Sequence, residues 1–327
     1  MNKTAITIVL PVYGRSELLE PALSSVLAQT SPNWHLLIAD DGSDALTQGF
    51  LERWLAEHAD PRISWVRRPK NLGLFANLNQ AIEEADTEWV LLLCSDDLLL
   101  PLAVQEIEKL RHRWPEARLI LSTFESINAD GSNRPADSAW HHDQVSRETA
   151  VVTPEVFVPA LLRLGSLNGN LTGMAFRRAL WREAGSFRED WRHAADWEWL
   201  LRASEHQPLV LNRSPIALVR THERQLSNSN RRSGHELQEV AEIVRALRLH
   251  PLLVNESRRK EWAAHVMQFQ LGNLLRGRIT RSPIEIARAL RSIHRSSGIR
   301  ASTKALSRRI GDYWRKIGTG HSRMENR

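Results

Sequence analysis

Residues 89–101 read WVLLLCSDDLLLP, an apolar run that ends in two adjacent aspartates, Asp96 and Asp97. Residues 34–43, WHLLIADDGS, repeat this arrangement with Asp40 and Asp41. A short apolar run bounded by polar residues is typical of a buried strand. Because neighbouring carboxylates repel each other and resist leaving water, each pair predicts a partner that supplies positive charge or hydrogen-bond donors.

Strand and helix patterns alternate over the first 127 residues. Strands are predicted at 6–12, 34–40, 62–68, 88–94 and 117–127, and helices at 17–29, 45–58, 74–85 and 101–114, the last opened by a proline. This order predicts an α/β fold with a mostly parallel central sheet flanked by helices. Ligands of such sheets bind beyond the carboxyl ends of the strands, so both aspartate pairs are expected in one cleft.

The pattern after residue 134 is less regular. His141 and His142 fall in a loop that we expect to be exposed, at 135–144. Further elements are predicted as helices at 154–165 and 193–206, a strand leading into a short helix within 169–187, and two short strands within 208–222. Helical segments follow near 235–249, 258–277 and 283–296.

The composition is that of a globular protein. The 327 residues are 42% hydrophobic and 25% charged, and Cys94 is the one cysteine, so no disulfide can form within the chain. The apolar stretch near the N-terminus is closed by Pro11 and is predicted to be a strand rather than a signal peptide. No window approaches the roughly 20 apolar residues of a membrane span. We therefore expect a cytoplasmic protein.

Basic residues are concentrated in the last part of the chain. Residues 231–327 hold 21 basic and 8 acidic residues, a net charge of +13 in a chain whose total is +6. Such a segment can meet an anionic membrane surface, or it can be a solvated helical face with no partner. It has few aromatic residues between its basic ones, so nucleic-acid binding is not expected.

Six motifs occur in order along the chain: PVYGR (11–15), ADDGS (39–43), NLG (71–73), CSDD (94–97), ADWEWLLR (195–202) and RTH (220–222). Together they resemble the family 2 glycosyltransferases, inverting enzymes with the GT-A (Rossmann-like) fold. The resemblance covers roughly residues 5–225. It implies a glycosyltransferase domain over 1–230, with a nucleotide-sugar half at about 1–130 and an acceptor half at about 131–230. Residues 231–327 form a basic helical C-terminal extension outside it.

The resemblance implies a divalent cation, Mg²⁺ or Mn²⁺, at the CSDD motif. Carboxylates alone would repel the diphosphate of a nucleotide sugar, whereas a hard cation held by carboxylates and phosphate oxygens neutralises it. Asp96 and Asp97 are the predicted ligands, with Ser95 beside them at the donor site. Cys94 stands where the family has an aspartate, which leaves the number of ligands open. Asp97 has the alternative role of capping the helix that follows.

The first three motifs are expected to bind the donor nucleotide, with Asp40 or Asp41 accepting hydrogen bonds from the base or the ribose. An Asp-Gly pair is by itself also a turn signal. Pro11, Val12 and Tyr13 are predicted to form the wall under the base. The loop with Asn71 and Gly73 is predicted to lie beside the nucleotide. UDP is the commonest donor nucleotide of the family, and dTDP and GDP stay open because Leu78 replaces the family's arginine.

Asp196 matches the aspartate of the family's Glu-Asp motif and is the predicted general base. A positioned carboxylate would take the proton of the acceptor hydroxyl as it attacks the anomeric carbon. Ala195 replaces the glutamate, Glu198 is the rival base, and Asp196 could instead stabilise the start of its helix. Arg220 and His222 match an Arg-x-His loop that closes near the diphosphate. Gly169, Asn170 and Thr172 lie where the family builds the acceptor side.

Two other functions compete with an inverting glycosyltransferase of bacterial surface-polysaccharide assembly, which would act on a glycan or lipid-linked acceptor. A nucleotidyltransferase of the same fold class would need a glycine-rich basic loop after the first strand, and PVYGRSELLE holds one glycine and one arginine. A non-catalytic nucleotide-sugar-binding module, or a membrane-associated one, is the second alternative. The C-terminal extension is expected to bring the protein to the inner face of the membrane as a peripheral contact.

Overall fold

The computed structural model describes residues 5–134, 140–167, 170–227, 230, 235–276, 290–296, 298 and 307. Twelve strands are present in this part of the chain: β1 Ile6–Val12, β2 Trp34–Asp40, β3 Ile63–Arg67, β4 Trp89–Leu92, β5 Leu98–Leu99, β6 Leu119–Ser122, β7 Glu125–Ile127, β8 Asn133–Arg134, β9 Ala150–Val152, β10 Met174–Arg177, β11 Leu209–Asn212 and β12 Ala217–Arg220. The principal helices are α1 Ser16–Leu27, α2 Ala45–Glu57, α3 Leu74–Glu84, α4 Ala103–Arg113, α5 Trp140–Asp143, α6 Pro154–Leu164, α7 Arg178–Ala184, α8 Ala195–Ser204, α9 His235–Leu249 and α10 Glu256–Arg276.

Eight strands form the main sheet in the order β3-β2-β1-β4-β10-β6-β11-β9. The four strands β3, β2, β1 and β4 are parallel, and β6 pairs parallel with β11. The strand β10 is inserted antiparallel between β4 and β6. The predicted α/β class with a mostly parallel central sheet is confirmed. The carboxyl ends of β1, β2 and β4 therefore share one edge of the sheet.

A second sheet contains four short strands in the order β5-β12-β7-β8. Its strand β5 directly follows the acidic loop at the end of β4. Its antiparallel β5–β12 pair places Ala217 opposite Leu99 and Leu218 opposite Leu98. Continuing this register by two residues brings Arg220 opposite Asp96. The small sheet thus joins two motifs that are far apart in the sequence.

The hydrophobic core around the parallel strands lies between the main sheet and its helices. The strands β1 and β4 are buried along their whole length and β2 is buried except at His35, which matches their largely apolar sequence. Trp34 and Trp89 are each 1% exposed and pack with Leu19, Leu23 and Ile107 from the flanking helices. Burial of this apolar surface is the main stabilisation of the scaffold that holds the acidic loops.

Three local predictions were wrong. The segment 117–127 is not one strand, because Leu119–Ser122 belongs to the main sheet and Glu125–Ile127 to the small one. The helix predicted from residue 101 begins at Ala103, after a turn at Pro101 and Leu102. His142 is not exposed: it lies in the short helix α5 and is only 2% exposed.

The chain divides into two compact units, Met1–Phe157 with Ser166–Gln225 and Val158–Gly165 with Leu226–Arg327. Within the second unit, α9 and α10 pack against each other and fall where the sequence predicts helices. Residues 290–296 are helical, whereas most of the helix predicted at 283–296 and the rest of the basic extension lie outside the described residues. None of the described helices combines the length and the apolarity needed to cross a membrane.

Candidate active site

Asp97 is buried at the carboxyl end of β4 and organises the loop around it. Its side chain is 2% exposed. The Oδ1 atom accepts the backbone N–H of Arg220 at 2.9 Å, and Oδ2 accepts Thr172 Oγ1–H at 2.6 Å and Asn170 Nδ2–H at 2.9 Å. Burial raises the pKa of Asp97 to about 7, helped by the neighbouring Asp96 charge and opposed by these hydrogen bonds.

Asp96 is the more accessible carboxylate of the pair, and its side chain is 16% exposed. Its Oδ2 lies 2.9 Å from Nε2 of His222 and 3.7 Å from Nη1 of Arg15. Arg220 Nε donates to the backbone carbonyl of Asp96 at 3.0 Å. Within the described part of the chain, Oδ1 of Asp96 accepts no hydrogen bond. This oxygen can therefore accept a ligand, and the Arg15 guanidinium and the His222 ring lie beside Oδ2.

The donor set suits a hard divalent cation at Asp96. Ligand atoms of Cys94, Asp96 and Asp97 lie within 4.8 Å of one another. Burial raises the pKa of the Cys94 thiol well above its ordinary value, so the thiol stays protonated and is a poor ligand for Mg²⁺ or Mn²⁺. Asp97 already uses both oxygens. An oxygen of Asp96, completed by phosphate oxygens and water, matches the way these cations bind in proteins.

The second acidic pair organises the neighbouring loops at the end of β2. Asp41 accepts the N–H groups of Leu72 at 2.7 Å on Oδ1 and of Gly73 at 2.9 Å on Oδ2, so its carboxylate holds the NLG loop. Burial raises the pKa of Asp41, and these two hydrogen bonds oppose the rise. Asp40 accepts Ser43 N–H at 2.8 Å on Oδ1. Its buried Oδ2 has no hydrogen-bond partner among the described residues.

Glycine is required where these two loops meet. Gly42 has a φ of +72°, and a Cβ added there would lie 2.7 Å from the carbonyl carbon of Lys70 and 2.9 Å from the nitrogen of Asn71. Backbone therefore packs directly on backbone, which only a residue without a side chain allows. Gly73 begins α3 with a φ of +95°. The predicted donor loops are thus in direct contact, and Asn71 is exposed beside them.

The PVYGR motif lies at the end of β1. Pro11 and Val12 are buried, while the Tyr13 side chain is 59% exposed. Gly14 N–H donates to Ser43 Oγ at 3.0 Å, which ties this turn to the ADDGS loop. An exposed aromatic ring at a strand end offers a flat apolar surface to a ligand. Ser95, in the loop after β4, is half-buried.

The predicted base and its rival differ in their contacts. Asp196 lies in the first turn of α8 and is half-buried. Glu198 is paired with Arg202, its two oxygens each 2.7 Å from a guanidinium nitrogen. Arg202 also donates to the carbonyls of Ala184 and Ser186. Glu198 therefore holds α8 to the end of α7, which is a structural role.

The structure brings Asp96, Asp97, Arg220 and His222 into one cluster, and Asp40, Asp41 and Gly73 into a second along the same edge. Asn170 and Thr172, which the resemblance places on the acceptor side, both contact Asp97, and Gly169 lies outside the described residues. Arg15, the last residue of the PVYGR motif, was given no role from the sequence, whereas its Nη1 lies 3.7 Å from Oδ2 of Asp96. Its signal was its position, directly after a Gly at the end of β1.

Comparison with known proteins relates this region of the sequence to glycosyltransferases. The strand order, with acidic loops at the carboxyl ends of β2 and β4, defines a GT-A-like α/β protein. Residues 7–160 match the sequence model of glycosyl transferase family 2.

Two curated relatives and one solved structure illustrate the similarity. The uncharacterized protein y4gI of Sinorhizobium fredii is 32% identical over 207 residues, which are 62% of this chain and 21% of that protein. The putative colanic acid biosynthesis glycosyl transferase WcaA of Escherichia coli is 35% identical over 100 residues, 31% of this chain and 35% of that protein. The matches thus span about a fifth and a third of the lengths of these two relatives.

The crystal structure of S. aureus TarS 1-349 in complex with UDP-GlcNAc superposes with a TM-score of 0.64. The similarity covers 89% of this chain and 81% of that chain, at 15% sequence identity. At this identity the superposition establishes the shared fold, which extends beyond the region matched by the family model.

Proposed function

We propose that this chain is an inverting glycosyltransferase that moves a sugar from a nucleotide-sugar donor to a hydroxyl acceptor. The observation that carries the proposal is the Asp96 carboxylate, with one oxygen available, among Arg15, Arg220 and His222 at the carboxyl end of β4. A cation ligand beside arginine guanidinium groups suits a nucleoside diphosphate leaving group. The match of residues 7–160 to the glycosyl transferase family 2 model supports the same reaction.

Asp96 is the residue that we propose as the direct ligand of Mg²⁺ or Mn²⁺. Asp97, predicted with it as a ligand, is better suited to hold Asp96 and Arg220 in place, because donors from the chain occupy both of its oxygens. When bound, the cation neutralises charge on the departing diphosphate. Arg220 and His222 lie beside Asp96 and can bind the same phosphates.

The nucleotide is proposed to bind along the ends of β1 and β2. Tyr13 is exposed there, above the buried Pro11 and Val12, and the loops with Asp40, Asp41, Asn71 and Gly73 follow at the same edge. Ser95, which directly precedes Asp96, is proposed to belong to the same donor site. The complex of TarS with UDP-GlcNAc supports UDP as the donor nucleotide.

Asp196 is the proposed general base. The acceptor oxygen forms a bond to the anomeric carbon as the bond from that carbon to the diphosphate oxygen breaks. The acceptor proton passes to Asp196, and the nucleoside diphosphate leaves from the opposite face, so the anomeric configuration inverts. The pairing of Glu198 with Arg202 supports Asp196 over its rival.

The acceptor is proposed to be a glycan or lipid-linked glycan of bacterial surface-polysaccharide assembly. The relative named for colanic acid biosynthesis supports this class. The basic extension is proposed to provide a peripheral membrane contact, because each Lys or Arg near an anionic surface contributes about 1 kcal/mol. Sedimentation with anionic and neutral vesicles tests this contact, and equal sedimentation by the full chain and by a variant with 231–327 removed would contradict it.

A donor panel tests the proposed reaction. Purified protein is incubated with UDP-, dTDP- and GDP-sugars and with Mg²⁺, Mn²⁺ or EDTA, and nucleoside diphosphate release and thermal shift are followed. We expect one donor to give a cation-dependent response that Asp96→Asn abolishes and that Asp190→Asn, an exposed surface control, retains. Absence of any response from the folded wild-type protein, or an undiminished response from Asp96→Asn, would contradict the proposal.

A further inference from the structure

Arg15 has a strained backbone at the end of β1. Its φ of 59° and ψ of 47° are left-handed, and it is the one non-glycine residue with a positive φ in the described part of the chain. Glycine adopts this conformation without the steric cost that a side chain brings. A strained residue that persists next to a functional site points to a use for its side chain.

The guanidinium of Arg15 joins the β1–α1 turn to the loop after β12. Its Nη2 donates to the carbonyl of Arg224 at 2.5 Å, and its Nη1 lies 3.7 Å from Oδ2 of Asp96. The second separation is too long for a hydrogen bond, so this contact with Asp96 is electrostatic. The atoms Nε and Nη1 donate no hydrogen bond to any residue that the structure describes.

Arg15 is one of the residues that line an open cleft of about 260 Å³. Arg15, Arg220, His222 and Arg224 line it, together with Glu17 and Glu223. Glu17 Oε1 lies 3.4 Å from Nη1 of Arg224 and so offsets that charge rather than the charge of Arg15. The Arg15 side chain is 31% exposed, and the cleft that it lines is large enough for a phosphate group.

We propose that Arg15 binds the diphosphate of the donor. Before the donor arrives, its guanidinium supplies the positive charge beside Asp96 that the cation supplies afterwards. This inference rests on the proposed function. A cation at Asp96 repels the guanidinium, whereas the two phosphates attract it and accept hydrogen bonds from its unused N–H groups. Arg15 thus opposes binding of the cation alone and favours binding of the cation together with a nucleoside diphosphate.

This arrangement would make the cation and the donor bind as a pair. A residue that only supports the fold would change both affinities in the same direction when it is replaced. Arg15 is expected to change them in opposite directions, because its charge repels one ligand and attracts the other. The sign of each change therefore separates the two roles.

Binding measurements on the full chain test the proposal. Affinities for Mn²⁺ alone are measured by electron paramagnetic resonance, and affinities for UDP, dTDP and GDP with saturating Mn²⁺ by calorimetry. We expect Arg15→Gln to bind the accepted diphosphate at least about tenfold more weakly than the wild type. We expect its affinity for Mn²⁺ alone to be equal to that of the wild type or up to about fivefold higher. Arg15→Lys is expected to recover part of the diphosphate affinity, and Arg188→Gln, which removes an exposed arginine paired with Asp190, to change neither.

Arg15→Gly provides a folded variant, because glycine relieves the positive φ, and it is expected to melt no lower than the wild type while losing the same diphosphate affinity. Unchanged diphosphate affinity in Arg15→Gln, or a parallel fall in both affinities, would overturn the role of Arg15 and leave the proposed function standing. Failure of the wild-type protein to bind any of the three diphosphates would overturn the proposed function and this inference together.

Discussion

The carboxylate of Asp97 accepts the backbone N–H of Arg220 at 2.9 Å and so joins two segments that lie 123 residues apart in the sequence. The same side chain accepts hydrogen bonds from the side chains of Thr172 and Asn170, which precede β10. Three parts of the chain therefore meet at one buried carboxylate. Asp96, the residue next to it, is held beside His222 and Arg220 as a result.

Replacement of Asp97 tests this organising role. Asp97→Ala removes the acceptor of three hydrogen bonds, and we expect it to lower the free energy of unfolding by about 2–4 kcal/mol. Asp97→Asn retains one oxygen to accept the Arg220 N–H and removes the cost of burying a charge, so we expect a loss of less than about 1.5 kcal/mol. Urea unfolding of both variants provides the measurement. Equal losses in the two variants would show that the carboxylate contacts do not organise the loops.

A pair of glycine substitutions tests the contact between the donor loops. Gly42→Ala places a methyl group 2.7 Å from the Lys70 carbonyl carbon as well as forcing a side chain to a positive φ. We expect it to cost about 3 kcal/mol or more and to weaken nucleotide binding. Gly14 has a φ of +63°, and a Cβ added there would meet no atom of the described residues within 4 Å, apart from its chain neighbours. For Gly14→Ala we therefore expect only the backbone cost of about 1–2 kcal/mol. Thermal unfolding and UDP binding compare the two, and a similar cost in both would contradict the backbone clash.

His142 is expected to make stability depend on pH. Burial lowers its pKa to about 4, and the nearby His141 and Arg213 charges add to this effect while Asp143 opposes it. Above pH 6.5 the histidine is neutral in both states. As the pH falls from 6.5 to 4, the unfolded chain takes up a proton that the folded protein does not. The free energy of unfolding therefore falls by up to about 1.4 kcal/mol per pH unit, or about 3 kcal/mol over the range.

The difference between wild type and His142→Asn isolates this effect from other titrating groups. The variant is less stable at pH 7.5, and we expect its deficit in chemical denaturation to shrink steadily toward pH 4. His206→Asn is a suitable control, since His206 is 86% exposed and its replacement should leave the pH profile of the wild type. A His142→Asn deficit that stays constant with pH would rule out a buried neutral histidine.

The two carboxylates of α8 are expected to separate chemistry from stability. Asp196→Asn should lower kcat by about 10²–10⁴-fold with little change in donor affinity or thermal stability, because it removes the proposed base. Glu198→Gln should retain most of the activity and lower stability by about 1 kcal/mol, because its ion pair with Arg202 is partly exposed. Steady-state kinetics with the donor and acceptor, together with thermal unfolding, measure both. Loss of activity confined to Glu198→Gln would exchange the two roles.

The local pattern predicted the scaffold well, because apolar periodicity depends only on neighbouring residues. The first four strands and the helices between them fall close to their predicted positions. The segment 117–127 could not be predicted in the same way. Its halves pair with different strands, and the choice between two sheets is made by partners distant in the sequence. Likewise, the burial of His142 depends on packing that its polar local sequence does not reveal.

The sequence by itself determined the α/β class, the acidic ends of β2 and β4 and the motifs that resemble family 2 glycosyltransferases, because these features are carried by short runs of residues. Tertiary structure alone decided which carboxylates are buried, which oxygens are used and which arginine faces Asp96. Thr172 and Arg220 reach Asp97 only after distant strands have paired, and Arg15 reaches Asp96 only through a left-handed turn. Such contacts depend on distances in space, and separation along the chain does not encode them.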